Sequence, residues 1–202
     1  GLDLPISFEP LLKTWKGLYV LNAEKKSYLN YVKIKNTTAL EDGLLKLSGG
    51  VTFYKADVDI RNTTIEGAMS EDAINIVNSA FEMESVFISN SISDGLDSDF
   101  SSGTIRESTF SYIGGDAIDL CGSSVKMFKL KASQVNDKAI SVGEASNASI
   151  FKGDFRDVGV GVASKDGISV TVSDTIISDY NLYSIMSYMK KGFYSKSSLH
   201  VL

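Results

Sequence analysis

One short phrase returns at a fixed interval along the chain. Asp72-Ala73-Ile74-Asn75, Asp94-Gly95-Leu96-Asp97, Asp116-Ala117-Ile118-Asp119, Lys138-Ala139-Ile140-Ser141 and Val160-Gly161-Val162-Ala163 follow one another at 22 residues, and Tyr183-Ser184-Ile185-Met186 comes one residue late. A second row keeps the same step, with Ile60, Met83, Ile105, Met127, Ile150 and Val172 lying 22 or 23 apart. Each copy alternates apolar and polar residues and then meets Gly, Ser, Asn or Asp, the pattern of a short half-buried strand ending in a turn. Before residue 180 no segment keeps a helical period over the length a helix needs. Hairpins would set alternate strands antiparallel and could not stack a phrase on its own copy. A parallel β-helix does so, with one repeat per coil and successive copies about 4.8 Å apart. The leucine framework and Asn ladder of a leucine-rich repeat are missing. The expected fold is all-β: a right-handed parallel β-helix, or solenoid, of about 7–8 coils with a period of 22–23 residues.

The 202 residues read as one β-helix domain, whether whole or part of a larger protein: irregular N-terminal coils and cap over 1–50, regular coils over 51–180, and a last strand and tail over 181–202. Val32-Lys33-Ile34-Lys35-Asn36-Thr37-Thr38 echoes Val58-Asp59-Ile60-Arg61-Asn62-Thr63-Thr64, which carries the second row back towards the N-terminus. Pro5, Pro10 and Trp15 mark one candidate cap, and Tyr188 to Tyr194 the other. His200 falls in a tail expected to fray. The ends of such a stack leave strands unpaired, so contacts with a further coil, from a copy or a parent chain, are expected there.

Composition narrows the function classes. The net charge is −5 and the arginines Arg61, Arg106 and Arg156 are scattered, so nucleic acid is not an expected partner. No apolar run approaches a membrane span. A lone cysteine, Cys121, and a lone histidine, His200, argue against internal disulfides, zinc sites and Ser/His/Asp triads. Richness in Ser, Thr and Asn suits an exported protein, so an extracellular or cell-envelope location is expected. The sequons at Asn36, Asn62 and Asn147 fall at repeat turns, where Asn has a structural use.

Alternation assigns the faces. Ile74, Leu96, Phe100, Ile118, Leu120, Ile140 and Val142 share one parity and are expected inside, because the opposite choice would bury Asp97 and Asp119 unpaired. Asn75, Asp97, Asp119, Ser141 and Ala163 then form an outward column, with Val77, Asp99, Cys121, Gly143 and Lys165 beside it and Asp94, Asp116 and Lys138 near the strand entrance. Carboxylates one coil apart repel by about 3 to 4 kcal/mol at an effective dielectric near 20. Lys138, Lys165, a calcium ion on Asp97, Asp99 and Asp119, or a retained proton would each relieve this. Cys121, among acidic neighbours, is expected to be a small filler.

At these residues the sequence resembles the right-handed parallel β-helix superfamily that includes pectate lyases and polygalacturonases. Ser93-Asp94-Gly95-Leu96-Asp97 looks like the Asn-Thr-Asp-Gly-Ile-Asp strand of polygalacturonases, and Gly114-Gly115-Asp116-Ala117-Ile118-Asp119 like their Gly-Asp-Asp phrase. Lys138 to Gly143 sits where Gly-His-Gly-Ile-Ser-Ile-Gly would, and Ala163-Ser164-Lys165 near Arg-Ile-Lys. The resemblance covers about half the chain, Asp72 to Asp166, and implies a groove that meets polysaccharide. The residue that the family uses as general acid is Gly115 here, the histidine position is Asp137 or Lys138, and the arginine is absent, so the family's mechanism does not carry over. Asp94 to Phe100, Gly115 to Ser123, Asp137 to Glu144 and Ala163 to Gly167 are more similar to bacterial β-helix proteins, some of which accompany spore-coat-kinase-like domains.

Three readings stay open. The first is a module that binds polysaccharide or another extracellular partner through the acidic groove, with Asp99, Glu144 and Asp166 as contacts. The second is an enzyme of the same groove, a polyuronate lyase, epimerase or glycoside hydrolase, drawing on Asp94, Asp97, Asp116, Asp119, Lys138 and Lys165. The third is a structural spacer.

Overall fold

The computed structural model describes residues 4–202, so residues 1–3 of the expected N-terminal cap lie outside the described residues. It is a parallel β-solenoid of about 8 turns, and no helix occurs among the described residues. Each rung has three faces. The first carries Gly49–Tyr54, Asp72–Val77, Asp94–Asp99 and Ile118–Cys121, paired in parallel and in register, so that Asn75 lies opposite Asp97 and Asp97 opposite Asp119. The second is an 8-stranded parallel sheet from Ser27–Asn30 to Ser198–Val201. The third includes Thr64–Glu66, Phe87–Ser91 and Thr109–Ile113. In the last rungs the strands Lys131–Val142, Asp154–Lys165 and Ile176–Tyr188 run without a break from the third face into the first.

The core is the set of inward columns. Ile74, Leu96, Ile118, Ile140 and Val162 back the first face, Ile60, Met83, Ile105, Met127 and Ile150 the second, and Ile65, Ile88, Phe110, Ala132 and Phe155 the third. All are essentially sealed from solvent, and each large aliphatic side chain so buried contributes about 1.5–3 kcal/mol. Bends between faces are made by residues in the left-handed region: Lys55, Asn78, Phe100 and Gly122 after the first face, Asn62, Ser85, Glu107, Lys129 and Lys152 after the second. Asn36 and Asn62 are themselves left-handed, in keeping with the turn role of their sequons. A buried serine ladder ties the first corner together: the backbone N–H groups of Ala56, Ser79, Ser101 and Ser123 donate to the Oγ atoms of Ser79, Ser101, Ser123 and Ser146 at 2.9 to 3.1 Å. Each such bond contributes about 1 kcal/mol.

Three expectations need correction. The third row of strands was not visible as a phrase, because its inward residue ranges from Ala132 to Phe155 and only the interval is kept. Val32–Lys35 belongs to that third row, with Ile34 opposite Ile65; the partner of Val58–Arg61 is Ser27–Asn30. His200 does not fray: it lies in Ser198–Val201, opposite Thr171. At the N-terminal end, Trp15 donates its indole N–H to the Lys35 carbonyl at 2.7 Å and stacks with Phe8, consistent with a capping role.

Candidate functional site

At the start of the first face two consecutive residues per rung turn inward. Ala73, Ala117 and Ala139 are buried together with Ile74, Ile118 and Ile140, and a Cβ added at Gly95 would fall 2.8 Å from the Phe110 ring in the core. The residues flanking this pair therefore both point out: Asp72, Asp94, Asp116 and Lys138 in one column, Asn75, Asp97, Asp119 and Ser141 in the next. This is why side chains three positions apart meet. Asp94, Asp116 and Asp119 each bring a carboxylate oxygen within 4.8 Å of one another. The set foreseen for calcium was Asp97, Asp99 and Asp119, and only Asp119 is common to both, because simple alternation missed the inward pair.

The first column is also a backbone ladder. Asp94 Oδ1 accepts the Asp116 N–H at 2.8 Å, and Asp116 Oδ1 accepts the Lys138 N–H at 2.9 Å and the Lys138 ammonium at 3.1 Å. Burial raises both carboxyl pKa values, opposed at Asp94 chiefly by the Asp116 N–H and at Asp116 by Lys138. Burial alone would lower Lys138, but its bonds to Asp137 and Asp116 outweigh this and hold it above the usual lysine value. A lysine kept protonated makes a poor general base. Calcium takes about 6–8 oxygen ligands, whereas the ammonium of Lys138 already engages Asp116, so these residues fit an internal ammonium better than that ion.

In the second column Asp97 accepts a hydrogen bond from the Asn75 amide at 3.1 Å. Burial, then the charges of Asp72, Asp99, Asp119 and Asp94, push Asp97 up to about 8. Buried Asp72 is pushed by its burial to about 7, and among the described residues its Oδ2 has no hydrogen-bond partner. A carboxyl raised as far as that of Asp97 favours its protonated form near neutral pH, in which it can donate as well as accept.

Further along, Lys165 crosses the bare backbone of Gly143, with Cε 3.7 Å from where a Cβ would stand, and brings Nζ to 3.6 Å from Asp119. Burial raises Asp99 and pushes Cys121 to about 11, where Glu144 and Asp99 add to the effect, which disfavours the thiolate. The segment after Tyr188 straps over this end. Asp166, which is buried, accepts the backbone N–H groups of Lys190 and Lys191 at 2.6 and 2.7 Å on Oδ1, and Lys191 pairs with Glu144, holding that carboxyl below its usual range. Asp166 therefore anchors the strap. A pocket of about 230 Å³ remains, bounded by Asp97, Asp99 and Asp119 on one side and Glu144, Lys165, Lys190 and Lys191 on the other.

Phe100 corrects another expectation. It is 63% exposed, because its left-handed backbone after Asp99 ends the alternation that would have turned it inward. Its ring lies over Gly122, where a Cβ would come within 2.5 Å of it, so glycine at that left-handed corner is required twice over. An aromatic surface thus stands at the corner beside Asp99. The strap lysines Lys190 and Lys191 were missed because they lie outside the repeat, where no periodic signal locates them.

No family model and no curated protein matches the chain. Among solved structures it is similar to a crystal structure of the Agl-KA catalytic domain, at 14% identity and a TM-score of 0.35, over 94% of this chain and 44% of that one. The chain spans less than half the length of that domain, and a likeness so distant carries no argument about activity.

Proposed function

We propose that the chain is a carbohydrate-binding module that seats one sugar unit of a polysaccharide in the pocket on the first face, with Phe100 as the flanking stacking surface. The observation that carries this reading is the mixture of carboxyl and ammonium groups lining one concave site, with Asp97, Asp99 and Glu144 facing Lys165, Lys190 and Lys191, and with Asp97 raised by its burial towards the protonated, donating form. Sugar hydroxyls both donate and accept, so such a site suits them, while the surrounding carboxylates disfavour a polyuronate. A place outside the cell or in its envelope, where such polymers occur, belongs to the same proposal. Titration calorimetry with neutral oligosaccharides tests it. Phe100→Ala is expected to weaken binding about fivefold or more, and Asp97→Asn to alter it with the fold intact. Absence of binding to every neutral oligosaccharide, or unchanged affinity in both variants, refutes the reading.

One observation favours an enzyme in the same groove. Asp97, whose pKa is raised by its burial beside its register partner Asp119, is shifted in the direction required of a general acid in glycoside hydrolysis. Release of reducing ends that disappears in Asp97→Asn and Asp119→Asn would move the assignment from binding to hydrolysis. Lyase chemistry with Lys138 as base has less support, since that lysine is held protonated between Asp116 and Asp137.

A further inference from the structure

The corner where the second face turns into the third carries a different chemistry. Phe128 and Phe151 are register partners on adjacent rungs, their rings 6.3 Å apart and inclined by 67°, so they form an angled cleft. Arg106 lies 4.5 Å over the Phe128 ring and Lys152 5.0 Å over that of Phe151. The cleft, about 210 Å³, runs on past Lys129 into a second depression of about 250 Å³ that reaches Lys131. Glu107 offsets Lys129 at 2.6 Å, and Glu84 is taken up by Arg61 at 2.6 Å. Among the described residues Arg106, Lys131 and Lys152 form no ion pair, although Glu84 and Asp154 are the register partners of Arg106 and Lys131, and cations outnumber carboxylates in the lining of this strip in a chain of net charge −5.

We propose that this corner is a second binding site, for an anionic saccharide chain, independent of the acidic groove. The Phe128 and Phe151 rings take the apolar face of a sugar ring, and Lys131, Lys152 and Arg106 take its carboxylates or sulfates. The rung spacing of about 4.8 Å is close to the length of one sugar residue, so two successive units of a chain lying along the solenoid axis meet Phe128 and Phe151, with Arg106 one rung before them. The two adjoining depressions, which share Glu107 and Lys129, give the ligand room.

Oligogalacturonate is the probe, titrated into the full chain at low and at raised salt. Binding is expected, weakening with salt as exposed charges are screened. The double variant Lys131→Gln/Lys152→Gln, at two exposed positions, is expected to lose about tenfold in affinity. Phe151→Leu, which keeps the bulk and removes the ring, is expected to lose about threefold, and Asp97→Asn to leave this binding unchanged. The proposal is overturned by failure of oligogalacturonate to bind, by equal affinity in the lysine double variant, or by a dependence on Asp97. Equal binding of a single-stranded DNA of matched charge would also overturn it, assigning a general polyanion surface. Neutral oligosaccharides bound at Phe100 would leave this outcome unaffected, so the two sites succeed or fail separately.

Discussion

The first and second faces are made from the same rungs and backed by the same kind of aliphatic columns, yet they treat charge in opposite ways. On the second face alternation is clean in most rungs: Phe81 and Met83 are buried and Glu82 is exposed, and two rungs on Val125 and Met127 are buried while Lys126 is exposed; the one buried carboxylate there, Asp59, is paired with Arg61 at 2.8 Å. On the first face the outward residues are themselves sequestered: Asn75 and Ser141 are buried, and Asp97 and Asp119 are half-buried. Charges on the open face cost little, because water solvates them. Those on the first face are perturbed, with Asp72 near 7 and Asp97 near 8. A sheet that places carboxylates where water is scarce carries a standing energetic cost, and such places are candidates for function.

Several substitutions would break or sharpen this contrast. The largest effects should be alike on the two faces, since the cores are alike: Leu96→Ala behind the first and Met83→Ala behind the second should each cost about 2–5 kcal/mol in denaturant unfolding. A clear inequality would mean that the two columns are not equivalent. Next comes Lys138→Met, which leaves Asp116 buried without its ammonium and should cost about 2 kcal/mol at pH 7 and less at pH 5. Equal loss at both pH values would show that the lost ion pair is not the cause.

Asp97→Asn should act in the other direction. The folded carboxyl at about 8 lies above its ordinary 3.8, so the native state holds a proton that the unfolded chain releases. Its contribution to stability is full below about 3.8, declines as pH rises and is lost above about 8. Asp72 adds to the same slope over its narrower window, up to about 7. Melting temperature should therefore fall between pH 4 and 8 in the wild type, and Asp97→Asn should raise it by at least about 2–4 °C at pH 8 with little change at pH 4. A flat wild-type profile would remove the desolvated acid from the account. The smallest effect belongs to the exposed corner: Lys129→Ala, whose partner Glu107 is also exposed, should shift stability by no more than about 0.5 kcal/mol.

The solenoid was legible because its rung length is written into two rows of near-identical phrases, and the parity of Ile74, Leu96 and Ile118 put Asp97 and Asp119 on one face. The third row escaped because Ile65, Ile88, Phe110, Ala132 and Phe155 keep only hydrophobicity and interval. Alternation also failed where the backbone departs from a regular strand. The inward pair at Gly95 and Leu96 explains why Asp94 and Asp116 share the groove with Asp97 and Asp119, and the left-handed corner at Phe100 turned an expected core ring to solvent. The strap could not be read at all. Its contacts, Asp166 to the backbone of Lys190 and Lys191, lie outside any period.

The hairpin of Leu40–Asp42 with Leu45–Leu47 has a consequence for how such a molecule can vary. It is inserted between one face and the next, so that Leu18 finds its partner only at Val51, whereas Val51 finds its own at Ile74. The ladder absorbs the detour and resumes without a slip. Added loops at this edge can therefore vary in length and sequence while every downstream pairing is kept and the frame stays constant.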